Sequence, residues 1–285
     1  MMWLASIPSP GDNAVHIGPL QLRAYGLAIA VGAFVAITIA RRRWVAHGGA
    51  AEDIGAVAMW AVPAGLVGAR LYHVLTDWPR FEGRWLSVLA VWQGGLGIPG
   101  GLVAGVCTGI WAARRRGLPV PVLLDVVAPA IPVAQAIGRL GNWFNQELFG
   151  RPTDLPWGLE IAPEHRPAAF RDVATFHPTF AYEALWNLAL AAVLLLVERR
   201  WRLRPGQLFV GYVVGYAAGR LWVEALRIDP ASQLWGLRIN IWTSLLALAA
   251  ALGVLITMTL RRQSDLQPPE TGSRGSAHRN ADVTT

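Results

Sequence analysis

Residues 120–147 read VPVLLDVVAPAIPVAQAIGRLGNWFNQE. From Val120 the stretch is nearly unbroken apolar for about 20 residues, the length a helix needs to cross the hydrocarbon core of a bilayer. It then turns polar at once: Gly138, Arg139, Gly141, Asn142, Asn145, Gln146 and Glu147 crowd its end. A charge at the end of a membrane span calls for a reason, and the usual reason is a site. One segment therefore points both to a helix in lipid and to the place where chemistry is expected.

Working outward, the composition agrees. The 285 residues are 54% hydrophobic and only 15% charged, well below the roughly one quarter charged of a soluble domain. The net charge of +7 does not point to nucleic acid, because the basic residues form short blocks at the ends of apolar spans. All of them are Arg. The lone Cys107 sits inside an apolar stretch and reads as an inert small hydrophobe. Met1–Asn13 lacks the basic start and hydrophobic core of a cleavable signal.

Seven apolar segments are long enough to span, at about 18–40, 52–74, 92–113, 120–140, 178–197, 206–227 and 238–260. Arginine blocks follow alternate segments: Arg41-Arg42-Arg43, Arg114-Arg115-Arg116, then Arg199, Arg200, Arg202 and Arg204, then Arg261 and Arg262. All four fall on one side, which the positive-inside rule makes the cytoplasm. The expected fold is an all-α polytopic membrane bundle of about seven helices, N-terminus outside and C-terminus cytoplasmic. The membrane domain covers 1–262. A loop at 148–176, with Pro152, Pro156, Trp157, Pro163 and Pro167, is expected to cap the site. Residues 263–285 are expected to form a disordered cytoplasmic tail.

Polar residues within the spans gather toward the outer leaflet: Tyr25, Arg70, His73, Gln93, Gln135, Arg139, Asn142, His177, Tyr182, Glu183, Arg220, Glu224 and Arg227. Only Asp125 lies near the inner face, as a cap or an ion-pair partner. In the sixth span Gly211, Gly215 and Gly219 repeat every four residues, a small-residue stripe for close packing. Tyr212, Tyr216, Arg220 and Glu224 repeat one position along, so a polar stripe faces the protein interior. The bland reading of Arg220 and Glu224 is a packing ion pair, and that of Arg139 a snorkelling side chain. Gly138 and Gly141 beside Arg139 suggest room for a ligand. Asn142 and Glu147 read either as helix-end partners or as site members. His73 and His177 taken singly read as structural. The run Gly94-Gly95-Leu96-Gly97-Ile98-Pro99-Gly100-Gly101 reads as a loosened segment where a substrate approaches the backbone.

These residues carry a resemblance. Gly138-Arg139-Leu140-Gly141-Asn142-Trp143-Phe144-Asn145-Gln146-Glu147-Leu148-Phe149-Gly150 is similar to the signature of the phosphatidylglycerol:prolipoprotein diacylglyceryl transferases, with Trp143 where the family usually has Phe. Tyr25-Gly26, Asp125, His177-Pro178, Tyr182-Glu183 and Arg220-x-x-x-Glu224-x-x-Arg227 extend the match. The resemblance implies a bacterial plasma-membrane enzyme whose active site faces the extracytoplasmic side. It would move a diacylglyceryl group from phosphatidylglycerol to the thiol of a Cys in a prolipoprotein signal peptide, releasing glycerol-1-phosphate. It implies that Arg139, Arg220, Arg227 and Gly150 bind the lipid. Tyr25, Asn142, Glu147, Arg220 and Glu224 would serve catalysis. No metal and no cofactor are expected, and the partners are lipid and signal peptide.

One departure stands out. Many members carry Phe-His-Gly-Gly where this chain has Ile98-Pro99-Gly100-Gly101, and Pro99 cannot do the proton chemistry proposed for that His. Tyr25, His73, Glu147, His177 and Glu224 are the alternative bases by depth, and the sequence leaves the choice open. The rival function is a lipid transporter or flippase using the same arginines. Such a path needs polar residues through to the inner leaflet, and only Asp125 lies there.

Overall fold

The computed structural model describes residues 6–17, 20–91 and 94–266. A short hairpin, β1 (Ala14–Ile17) and β2 (Leu20–Arg23), leads straight into α1 (Ala24–Ala46). Then follow α2 (Ala51–Thr76), α3 (Ile98–Arg115), α4 (Val120–Val127) and α5 (Ala130–Phe144). The small pair β3 (Leu159–Glu160) and β4 (Thr175–Phe176) precedes α6 (Thr179–Arg200) and α7 (Gln207–Leu226). A last hairpin, β5 (Gln233–Leu234) and β6 (Leu237–Arg238), feeds α8 (Ile239–Leu266).

Among the described residues four helices are long and apolar enough to cross a membrane: α1, α2, α6 and α8. The pair α4–α5 makes a fifth if its two halves, bent by 42°, count as one span. The expected single helix over 120–140 is thus broken. Pro129 and Pro132 supply no backbone N–H, so the hydrogen-bond ladder fails between the halves. The expected third span also starts late. Gly94 and Gly95 take φ of +89° and +76°, a conformation that ends regular helix, and α3 begins only at Ile98 with Pro99 in its first turn. Gln93 lies outside the described residues. α7 falls short of the same measure because its polar stripe lowers its apolarity. At the other end α8 runs on to Leu266, past the boundary expected at 262, and the tail from 267 lies outside the described residues.

The helix faces turned outward are apolar: Phe34, Met59, Leu75, Leu185 and Leu246 are all exposed. Water would not tolerate so much apolar surface, whereas lipid does. Between helices, small residues set the spacing. A Cβ on Gly32 would lie 2.9 Å from the Ala134 carbonyl oxygen across the α1–α5 contact. Gly65 and Gly105 bring α2 and α3 together, each 3.3 Å from a facing carbonyl oxygen by the same measure. The Gly211, Gly215, Gly219 stripe of α7 receives Leu194, Leu190 and Trp186 of α6, and the Trp186 indole donates to the Gly215 carbonyl at 3.0 Å.

Two polar locks hold the end opposite the arginine cluster. Asp125 accepts from the backbone N–H groups of Gly206 at 2.6 Å and Phe209 at 2.9 Å. It therefore caps α7 from another helix, satisfying donors that a helix start leaves unpaired. Arg43 grips both oxygens of Glu198 at 2.8 Å and the Val126 carbonyl at 2.8 Å, tying α1, α4 and α6.

At the end that carries Arg139, residues 148–176 fold around their own apolar cluster of Phe149, Leu159, Ile161 and Phe176. The N-terminal segment is stitched to it: Ile7 N–H donates to the Gly158 carbonyl at 2.8 Å, and Glu160 N–H to the Ile7 carbonyl at 2.9 Å.

Candidate active site

The end of α5 and the turn beyond it place the first group. Arg139 is paired through Nε with Glu183 of α6, and its Nη1 donates to Asn142 Oδ1 at 3.2 Å. Asn142 in turn donates to Glu147 Oε1 at 2.9 Å, and Asn145 donates to the same oxygen at 3.1 Å. Glu147 is presented by a strained turn. Gln146 and Leu148 on either side have φ of 50° and 60°, the left-handed region that non-glycine residues avoid. Tertiary bonds hold it there. The Gln146 side chain donates to the Pro10 carbonyl at 3.1 Å and accepts from Ala162 N–H at 2.8 Å, while the Thr179 hydroxyl donates to the Leu148 carbonyl.

The second group hangs on α7. Arg220 donates to Glu183 Oε1 at 2.7 Å and pairs with Glu224 Oε2 at 2.7 Å. Arg139 and Arg220, from separate helices, thus meet on the two oxygens of one carboxylate. Glu224, 1% exposed, also accepts from Arg238 Nε at 2.6 Å and Asn240 at 3.1 Å. The β5–β6 hairpin delivers that arginine, turning through Trp235 and Gly236, both at positive φ. Arg227 lies 3.7 Å from Glu224 but grips Asp229 with two bonds, at 2.7 and 2.9 Å. Arg238 reaches the same Asp229 at 3.0 Å. Burial pushes the Asp229 carboxyl up, yet its bonds to Arg227 and Arg238 outweigh that and hold it below the ordinary carboxylate range. Four guanidinium groups (Arg139, Arg220, Arg227, Arg238) thus join three carboxylates (Glu183, Glu224, Asp229), leaving one positive charge in excess.

Beside this network lies a cavity of about 630 Å³ whose wall includes Arg23, Tyr25, His73, Gly95, Asn145 and Glu147. Glu147, through Asn142, joins the cavity to Arg139. Tyr25, in the first turn of α1, reaches it because Gly141 has no side chain: a Cβ there would lie 2.5 Å from the Tyr25 ring and 3.0 Å from its Cα. The space beside Gly141 is therefore filled by Tyr25, against the expectation of room for a ligand. Gly138 has nothing within 4 Å of the same position.

Of the residues expected from the sequence, Arg139, Arg220, Glu224 and Arg227 share the network, and Tyr25, His73 and Glu147 share the cavity. Asn142 connects the two. Gly150 and His177 sit instead with the lobe formed by residues 148–176. Gly150 forms a backbone bridge to Arg227, and a Cβ on it would press on His177 Cβ at 2.8 Å. The His177 ring lies 3.1 Å from the Tyr182 hydroxyl. Sequence reasoning left out Asp229, Arg238 and Asn240, and gave Glu183 no role in the site. Glu183 had a signal, since Glu183, Asn187, Leu190 and Leu194 form one buried face of α6 at helical spacing.

A helical membrane protein with a buried arginine–carboxylate network beside a cavity of mixed polar and apolar wall is the class that fold and site define. The chain belongs to the prolipoprotein diacylglyceryl transferase family, whose model matches residues 12–257. It is 50% identical over 264 residues to phosphatidylglycerol–prolipoprotein diacylglyceryl transferase 2 of Streptomyces coelicolor, covering 91% of this chain and 83% of the relative. The transferase of Rhodococcus jostii is 49% identical, over 95% of this chain and 80% of its own length. That of Cutibacterium acnes is 50% identical, over 90% and 88%.

Proposed function

We propose that this transferase moves the diacylglyceryl group of phosphatidylglycerol to the thiol of a Cys in a prolipoprotein signal peptide, with glycerol-1-phosphate leaving. The observation that carries the reading is the meeting of Arg139 and Arg220 on Glu183, within a network one positive charge in excess. Guanidinium forks aimed at one carboxylate also suit a phosphodiester, whose oxygens present a similar acceptor pattern. During substitution at glyceryl C3, charge builds on the departing phosphate oxygen, and fixed donors in a water-poor site stabilise it. Arg227 and Arg238 hold Glu224 and Asp229, and so fix Arg220 in place. Asn142 and Glu147 orient Arg139 from the other side, Tyr25 lines the approach, and Gly150 keeps the outer lobe seated on the end of α7.

The remaining architecture follows from the same reading. The chain crosses a bacterial plasma membrane seven times, with its N-terminus outside, its C-terminus in the cytoplasm and the site extracytoplasmic. Residues 148–176 cap that site. Lipid and signal peptide both enter sideways from the bilayer. The flippase alternative needs a polar path to the inner leaflet, and the deep carboxylate, Asp125, is instead bonded to the start of α7.

Purified protein incubated with phosphatidylglycerol and a Cys-containing signal peptide should give a peptide heavier by one diacylglyceryl group, read by mass spectrometry. Arg139→Ala should abolish the product. A fully active Arg139→Ala protein overturns the site.

A further inference from the structure

The geometry points to His73, oriented by Asp77, as the group that takes the proton from the incoming thiol; this rests on the transferase reading above. His73 and Asp77 lie one turn apart at the end of α2, with Nδ1 3.0 Å from the Asp77 carboxylate. A carboxylate on Nδ1 keeps the proton there and leaves the lone pair on Nε2, the arrangement a general base requires. Nε2 has no hydrogen-bond partner among the described residues. It faces Gly95, where any side chain would collide with the ring, and His73 forms part of the cavity wall shared with Tyr25 and Glu147.

The loop that makes this possible is held by a neighbour. Arg70, one turn before His73 and 7% exposed, meets no carboxylate among the described residues. Its guanidinium donates to the carbonyls of Val88 at 2.8 Å, Gly94 at 2.7 Å and Gly95 at 3.0 Å. With the Phe81 ring 5.3 Å from its guanidinium carbon, this buried cation fixes the glycine backbone against the imidazole. The other charged groups facing His73 are Arg80 and Arg84 from the segment after α2, Arg23 ahead of α1, and Glu147.

Of the competing bases, Glu224 is bound by arginines, Glu147 already accepts two amide donors, and His177 sits against Tyr182. Tyr25 shares the cavity wall, but a phenol keeps its proton near neutral pH. In the step assigned here the S–H proton passes to Nε2 while sulfur forms a bond to glyceryl C3. The C3–O bond breaks with its electron pair leaving on the phosphate oxygen, as glycerol-1-phosphate. The imidazolium then releases its proton to water.

The test follows the rate of diacylglyceryl-peptide formation from pH about 5 to 9 with phosphatidylglycerol in detergent micelles, a span that includes the free thiol's own ionisation near about 8.5. His73→Gln should slow transfer about a hundredfold or more at neutral pH. The deficit should shrink as pH nears the range where the thiol ionises unaided. Added imidazole should restore part of the rate of His73→Ala. Asp77→Asn should slow transfer less, about tenfold, below the hundredfold or more assigned to the acid–base group itself. Binding of phosphatidylglycerol should be unchanged in all three. A His73→Gln protein with the wild-type rate and pH profile overturns the assignment. So does a deficit that is flat with pH and indifferent to imidazole. Should the His73 variants fail to fold, an Asp77→Asn protein with an unaltered rate and profile overturns it as well. A wild-type protein that yields no product at any pH defeats the transferase reading itself, and this assignment falls with it.

Discussion

The arginine network and the cavity beside it are built on opposite rules. In the network each carboxylate meets at least one guanidinium, and the groups clamp one another across α5, α6, α7 and the β5–β6 hairpin. Along the cavity wall Tyr25, His73 and Glu147 border open space, with Asp77 on one nitrogen of His73 and two amides on one oxygen of Glu147. The first region is rigid because a buried charge without its partner is costly. The second leaves Nε2 of His73 without a hydrogen-bond partner among the described residues. Anion recognition suits the one and proton transfer suits the other.

The sharpest way to break this contrast is Arg220→Ala. It leaves Glu183 and Glu224 short of a partner inside the protein, so it should cost about 3–5 kcal/mol of stability as well as abolishing transfer. Thermal unfolding in detergent measures the first and the peptide assay the second. A variant as stable as wild type shows that the network is not the clamp described.

A smaller effect tests the cavity wall. Gly141→Ala forces a methyl into the Tyr25 ring and should cost about 1–3 kcal/mol by overpacking. Gly138→Ala, in open space, should be neutral or stabilising by up to about 1 kcal/mol. Equal behaviour of the two, in the same unfolding assay, removes the reason given for the seat of Tyr25.

The smallest effect is a matter of pH. Because its folded pKa is depressed, Asp229 contributes its full share of stability above the ordinary carboxyl value of about 3.9. It loses that share as pH falls through the lower folded value. Asp229→Asn should be less stable than wild type at neutral pH, and the gap should close on acidification. A gap that stays constant in unfolding midpoints taken down the acid range removes Asp229 from the network's energetics.

Much of this was legible in the sequence because it is written locally. The glycine stripe of α7, the polar stripe beside it and the polar end of the helix that carries Arg139 all follow from spacing along one helix. What was not legible depends on how helices are rotated against each other. Glu183 was visible as a polar residue near a helix start, but its place between two arginines requires α5, α6 and α7 together. Arg238 stands at the start of the last expected span, and only the hairpin that turns it back on Glu224 gives it a place in the network. The vacancy inferred beside Gly141 disappeared because the residue that fills it, Tyr25, is far away in the chain. Asp125 could be read as a cap or a pair, and only the return of residues 206–209 to its side decided between them.

That last contact has a consequence for mutational scans. Asp125 grips the first turn of the helix that carries Arg220 thirteen residues beyond Gln207, roughly 20 Å along its axis. Loosening the grip would let the whole rod slide or swivel, so Arg220, proposed above to hold the headgroup, would drift out of alignment although nothing near it has changed. A screen for dead enzymes would therefore flag Asp125 alongside the true chemists, and only its remoteness from the lipid would betray it as the fixed foot of a lever.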